Sequence, residues 1–176
     1  MSESAEPAFD PAAILRVLLD HGVEFVVVGG LAVQAHGHLR TTTDLDIVPA
    51  ADLLNLSRLS EALAAVAAQL LGGGDAGDPH LLRRAALVSL TTDHGRLDLL
   101  NIGLADSLPT SYDQLRGRAV EVDLDGRTVA VAGLDDLIRM KRVAGREVDL
   151  SDIGALTRSH EQLRDEAREV LGHLPG

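Results

Sequence analysis

The chain has 176 residues, enough for one domain with a sizeable core plus a small helical appendage. Hydrophobic residues make up 45% and aromatics 2%, so the core rests on Leu, Val, Ala and Ile, and a disordered chain is excluded. The net charge of −11 excludes a broad basic face for nucleic acid, and the absence of cysteine excludes disulfides and thiolate metal sites.

Met1 to Asp10 is acidic and has none of the basic and apolar regions of a signal peptide, so residues 1–10 read as a frayed, disordered tail. Pro11 to His21 reads as a helix with Asp10 as N-cap and Gly22 just past its end. Glu24 to Val28 is apolar on both faces and reads as a central strand. Gly29-Gly30 then turns into a helix over Leu31 to His38. On the next strand, Asp44 to Val48, Leu45 and Ile47 point one way and Asp44 and Asp46 the other.

Leu53 to Leu71 reads as one long amphipathic helix capped by Asp52, followed by a loop from Gly72 to Pro79. Ala86 to Thr91 and Arg96 to Asn101 form an expected hairpin around Asp93-His94-Gly95. Ile102 to Arg116 reads as mixed loop and short helix. Val120 to Leu124 and Thr128 to Val131 form a second hairpin around Asp125-Gly126. Helices are expected over Asp135 to Ala144, Leu150 to Arg158 and His160 to Leu171. The expected division is a core over 11–133 and a helical segment over 134–176 packed on it. No stretch is long and apolar enough to cross a membrane, and no membrane partner is expected. The lack of cysteine fits a reducing, cytoplasmic setting.

Two carboxylates spaced i, i+2 on a strand share a face and can share a divalent cation, Mg²⁺ or Mn²⁺. Asp44 and Asp46 have that spacing, and Asp98, alternating with Leu97 and Leu99, is the best third ligand from a neighbouring strand. The bland alternative is a solvated outer face for all three. Gly29-Gly30, directly after an apolar run, lets a backbone approach a phosphate closely; alone it is only a tight turn.

The run Val26-Val27-Val28-Gly29-Gly30-Leu31-Ala32-Val33-Gln34-Ala35-His36-Gly37, then Arg40-Thr41-Thr42-Thr43-Asp44-Leu45-Asp46-Ile47, resembles the polymerase-β-type nucleotidyltransferase superfamily. More narrowly it is similar to the AbiEii-like toxin–antitoxin group. A second match is Leu134 to Arg142, with Lys141, followed by Asp149-Leu150-Ser151-Asp152-Ile153. The resemblance implies an α/β fold (an α+β mixed sheet) with a nucleotidyltransferase-type core and a small C-terminal helical segment. It implies that Asp44, Asp46 and Asp98 bind metal and that Gly29 and Gly30 bind nucleotide phosphate. Many superfamily members carry serine where this chain has Gly30. Arg and Thr equivalents of Arg40 and Thr42 occur too; these residues position phosphate, or Arg40 pairs with an acid.

Of sixteen basic residues only Lys141 is lysine. At 100° per residue it shares a helix face with Leu134, Leu137, Ile138 and Ala144, while Arg139, Arg142 and Arg146 fall opposite. An inward lysine needs an anion. The acidic trio or a bound triphosphate would supply it, giving Lys141 a catalytic, nucleotide-binding role; the rival reading is a lysine snorkelling from the helix edge. His36 and His38 read as helix-terminal or packing residues, Asp149 as a helix cap, and Arg83-Arg84 as a solvated pair.

The expected activity moves a nucleoside monophosphate from a nucleoside triphosphate such as ATP to a hydroxyl, with Asp98 receiving the hydroxyl proton. By resemblance the acceptor is an RNA 3′ end, tRNA especially, or a protein side chain, and the chain is a toxin–antitoxin component with a cognate partner. One rival is nucleotidylation of a small cationic molecule of the aminoglycoside kind, which the acidic charge suits. Another is a non-catalytic antitoxin that only docks a partner.

Overall fold

The structure is a computed structural model that describes residues 7–101 and 111–172. Helix α1 (Pro11–Asp20) begins with the Asp10 side chain accepting from Ala13 N. Phe9 packs against the core, and Asp10 N donates to His94 O. Residues 1–6 of the expected tail lie outside the described residues.

The four residues of β1 (Phe25–Val28) are all buried, as an interior strand requires. It runs antiparallel to β2 (Asp44–Pro49) with Val28 opposite Asp46. Between them α2 (Gly29–Ala35) starts without a residue's interval after the strand. Helix α3 (Leu53–Ala65) is shorter than expected. Val66 ends it, Ala67 turns with φ of 50°, and Gln69–Leu70 becomes β3, paired with β4 (Leu87–Thr92). Strand pairing at the sheet edge overrides the helical periodicity there. Asn55 of α3 fastens the start of β1: its Oδ1 accepts from Glu24 N, and its Nδ2 donates to Glu24 O and Ala50 O.

Helix α4 (Pro79–Arg84) was not anticipated. Asp78 and Pro79, which read as loop breakers, are its N-cap and first residue. Arg83 and Arg84 are exposed. The first hairpin is present as β4 and β5 (Gly95–Leu100). Of the expected loop-and-helix stretch, 102–110 lies outside the described residues, and α5 (Tyr112–Gly117) carries a capping box from Ser111 and Gln114. The second hairpin is β6 (Val120–Leu124) and β7 (Arg127–Val131).

Among the described residues the strands form one mixed sheet in the order β3-β4-β5-β2-β1-β7-β6. Strand β2 is parallel to β5, and β1 is parallel to β7. The remaining helices are α6 (Leu134–Ala144) and α7 (Glu147–Gly172). The two separate helices expected over 150–171 are thus one helix, and 173–176 lie outside the described residues. Inside it the Ser159 hydroxyl donates to Ala155 O and the Thr157 hydroxyl to Ile153 O, so neither interrupts the helix. The core joins Ile14 and Leu18 of α1, the valines of β1, Leu45 and Ile47 of β2, Leu97 and Leu99 of β5, and Leu137 and Leu156 of the last two helices.

Candidate functional site

The alternation of β2 buries Leu45 and Ile47 and leaves Asp44 and Asp46 half-buried on the other face; β5 alternates likewise around Asp98. Parallel pairing sets Asp46 beside Asp98 and Asp44 beside Arg96. One oxygen from each of Asp44, Asp46 and Asp98 then lies within 4.8 Å of the others. The structure therefore brings together the three carboxylates expected from sequence.

Their environment suits a divalent cation. Asp98 Oδ1 is buried with no hydrogen-bond partner. Burial first, and then the charges of Asp44 and Asp98, push the Asp46 carboxyl up to about 7, partly offset by Arg146 and Lys141. Three clustered carboxylates with an unsatisfied oxygen are a hard-ligand set for Mg²⁺ or Mn²⁺. Thr42 steadies one of them, its hydroxyl donating to Asp44 Oδ1 at 3.0 Å.

The glycine pair has a steric role beside this trio. Gly29 has φ of +66°, and a Cβ there would lie 1.9 Å from Asp46 Oδ2. A Cβ on Gly30 would lie 2.6 Å from Thr42 Oγ1. A serine at position 30, common in the superfamily, would need Thr42 to move. Glycine lets the start of α2 sit directly against the β2 carboxylates.

Lys141 is buried, as its helix face required, and does not snorkel. Its anionic partners are not the trio. Its Nζ lies 2.7 Å from Asp152 Oδ2 and 3.2 Å from Asp149 Oδ1, both carboxylates being buried. Arg40 also pairs with Asp152, at 2.6 Å, and His38 Nε2 is 3.8 Å from the same residue. His36, at the C-cap of α2, has Nε2 2.9 Å from Ala132 O.

Arg146 departs from its expected place opposite Lys141. Helix α6 ends before it, Gly145 takes a left-handed conformation, and the reversed chain brings Arg146 Nε to 2.8 Å from Asp149 Oδ2. Asp149 is a cap, but at the third position of α7, where it accepts from Arg146 N. Burial alone would raise the Asp149 carboxyl, yet hydrogen bonds from Arg146 and Lys141 outweigh it and hold it below its ordinary value. The bridging role of Asp152 was missed. Its signal was the i, i+3 spacing from Asp149, which puts both acids on one face of α7.

Asp46 of the trio opens on a cleft of about 300 Å3 between the sheet and the last two helices. Asp46 and Gly29 lie on its floor, Leu87, Leu100 and Met140 form apolar wall, and Lys141 and Arg146 face into it. No described helix is long and apolar enough to cross a membrane.

Comparison with known proteins agrees with this geometry. The chain belongs to a nucleotidyltransferase family of unknown function (DUF6036), whose pattern matches residues 12–161. No curated protein sequence matches it. The fold is similar to that of lincomycin-bound LnuA, a lincosamide antibiotic adenylyltransferase, with a TM-score of 0.58 and 16% identity over 86% of this chain and 98% of that one. It is similar to ANT(2")-Ia in complex with adenylyl-2"-tobramycin, with a TM-score of 0.56 and 16% identity over 90% of each chain. A putative nucleotidyltransferase from Thermotoga maritima gives 0.54 and 17% identity over 95% of this chain and 99% of that one.

Proposed function

We propose that this nucleotidyltransferase binds a nucleoside triphosphate with a divalent cation at Asp44, Asp46 and Asp98. It then transfers the nucleoside monophosphate to a hydroxyl and releases pyrophosphate. The observation that carries the reading is the convergence of three carboxylate oxygens within 4.8 Å, one of them from Asp46, which lines an open cleft. The cation, when bound, neutralises phosphate charge and makes the acceptor hydroxyl more acidic.

The chain's own residues divide the remaining work. Asp98 has the unpartnered oxygen and is assigned the hydroxyl proton. The Gly29–Gly30 backbone, with no side chain between it and Asp46, is assigned to nucleotide phosphate. Lys141 and Arg146 line the cleft, and their charge reaches Asp46, so it acts equally on a phosphate seated there. Thr42 serves the nucleotide by fixing Asp44, and Arg40 by holding Asp152 beside Lys141. From the segment assigned to 134–176, residues between Leu137 and Asp149 form the cleft wall that faces Gly29 and Asp46 of the core assigned to 11–133.

For the acceptor, the resemblance to the AbiEii-like group supports an RNA 3′ end or a protein hydroxyl, in a toxin–antitoxin component working in the cytoplasm. A small-molecule acceptor is the second reading. It is favoured by the net charge of −11 and by relatives of like fold that carry lincomycin or adenylyl-tobramycin.

The test incubates pure protein with Mg²⁺ and each α-labelled nucleoside triphosphate, adding total tRNA, extract protein, tobramycin or lincomycin in separate tubes. Label should move to one acceptor class with wild type and not with Asp44→Ala. No label transfer or pyrophosphate release in any tube would refute the reading.

A further inference from the structure

Arg96 stands level with Asp44 at the edge of the acidic trio and on the same sheet face. It pairs with Asp44 across β2 and β5, and Asp98 follows it by two residues. Its Nε is buried without a hydrogen-bond partner, and its guanidinium makes no ion pair among the described residues. Thr91 and Ser89 stand opposite Arg96 and Asp98 on β4, so their side chains share this face.

A half-buried guanidinium without an anion is costly, because its lost water hydrogen bonds are not replaced. The neighbouring carboxylates do not replace them. Asp44 and Asp98 lie beyond ion-pair distance, and their oxygens converge on each other instead. A cation held by those oxygens would leave Arg96 still without a partner.

Position then separates Arg96 from the nucleotide. Of the trio only Asp46 lines the cleft, together with Leu100; Asp44 and Asp98 stand at its edge, and Arg96, Ser89 and Thr91 are outside it on their far side from Leu100. Along β5, Asp98 lies between Leu100 on the cleft side and Arg96 on the other. In nucleotidyl transfer the attacking hydroxyl and the leaving pyrophosphate lie roughly in line, on opposite sides of the reacting phosphorus. With the triphosphate on the side of Gly29, Lys141 and Arg146, the acceptor falls on the side of Arg96.

We propose that Arg96, with the hydroxyls of Ser89 and Thr91, binds a phosphate of the acceptor next to the hydroxyl under attack. The acceptor is thus a phosphate-bearing alcohol, and Arg96 is a specificity-determining residue. This rests on the nucleotidyltransferase reading above. A planar guanidinium suits such a group because it grips two phosphate oxygens at once.

The test is calorimetric binding to the full chain saturated with Mg²⁺ and a non-hydrolysable nucleoside triphosphate analogue. The probes are an RNA trinucleotide, its uncharged methylphosphonate counterpart, ribose 5-phosphate and tobramycin. The trinucleotide or ribose 5-phosphate should bind at least tenfold more tightly than the uncharged probe and tobramycin, and which of the two binds distinguishes a nucleic-acid end from a small phosphorylated sugar. Arg96→Gln should remove that preference tenfold or more, and Arg96→Lys should restore part of it. The analogue's own affinity should stay within twofold in both variants. Equal binding of charged probes by wild type and Arg96→Gln, or a wild type that prefers the uncharged probe or tobramycin, overturns the inference alone. Failure of wild type to bind the analogue with Mg²⁺ overturns the nucleotidyltransferase reading along with it.

Discussion

Replacing Lys141 with methionine probes the buried ion network beneath the cleft. The lysine side chain is 6% exposed, and its partners Asp149 and Asp152 are 1% and 2% exposed. Breaking a buried pair commonly costs about 3–5 kcal/mol, because it strands a charge away from water. Here each carboxylate keeps an arginine, Arg40 at 2.6 Å from Asp152 and Arg146 at 2.8 Å from Asp149. Methionine also preserves most of the apolar stem. The expected cost is therefore at or below the low end, about 2–3 kcal/mol. At about 2–4 °C per kcal/mol for a domain of this size, the melting temperature should fall by roughly 4–12 °C. Urea denaturation at pH 7 measures the cost directly. The acid limb should shift as well. The Asp149 carboxyl lies below its ordinary value, so its stabilisation is complete above the ordinary aspartate range and is lost as pH falls through the lowered value. Without Lys141 the Asp149 carboxyl is lowered less, so that loss should be smaller and complete at higher pH. Adding Asp149→Asn to Lys141→Met should cost less than the two single changes summed, because the lysine and the carboxylate are coupled. A Lys141→Met protein within about 0.5 kcal/mol of wild type would refute the reasoning, since that is the range of a neutral surface change.

Other perturbations test separate parts of the account. Because the native Asp46 carboxyl stays protonated up to about 7, the metal-free protein should lose stability as pH rises from about 4 through 7. Mg²⁺ should then raise the melting temperature more at pH 8 than at pH 5.5; equal shifts, or the same shift in Asp46→Asn, would count against the trio as its site. Gly30→Ser should weaken nucleotide binding through its collision with Thr42, and Gly30→Ser with Thr42→Ala should regain the part of it that does not depend on Thr42 fixing Asp44. Calorimetric titration of an analogue into both variants reads this out, and unchanged binding in the single variant would contradict the contact. Asp136→Asn should destabilise by about 1–3 kcal/mol, because the buried Asp136 accepts from Arg118 Nε and Nη2 at 2.8 Å each. Its Mg²⁺ affinity should match wild type, and a loss of affinity would mean the start of α6 reports to the site.

The parts of the site that sequence made legible are those governed by short-range rules. Strand alternation put Asp44, Asp46 and Asp98 on polar faces, and helix periodicity turned Lys141 inward. The two hairpins followed from turn residues between apolar runs. What periodicity cannot supply is register between distant strands. Only the parallel pairing of β2 with β5 shows that Asp98 meets Asp46 and that Arg96 stands beside Asp44. The anion facing Lys141 is hidden from periodicity for a similar reason: Asp149 and Asp152 reach it only because Gly145 reverses the chain into α7. Breaks were misjudged where one local signal has two uses. Asp78-Pro79 reads equally as a turn or a helix start, and the Ser159 between the two expected helices is an interior residue bonded to the preceding turn.

The most direct test of the central claim is a crystal structure of the full chain with Mn²⁺ and a non-hydrolysable nucleoside triphosphate analogue, read by the anomalous signal of manganese. The account predicts a manganese peak in coordination contact with Asp44, Asp46 and Asp98, with the analogue's phosphates between that peak and the Gly29–Gly30 turn. Manganese bound elsewhere, or an analogue bound away from the trio, would contradict it.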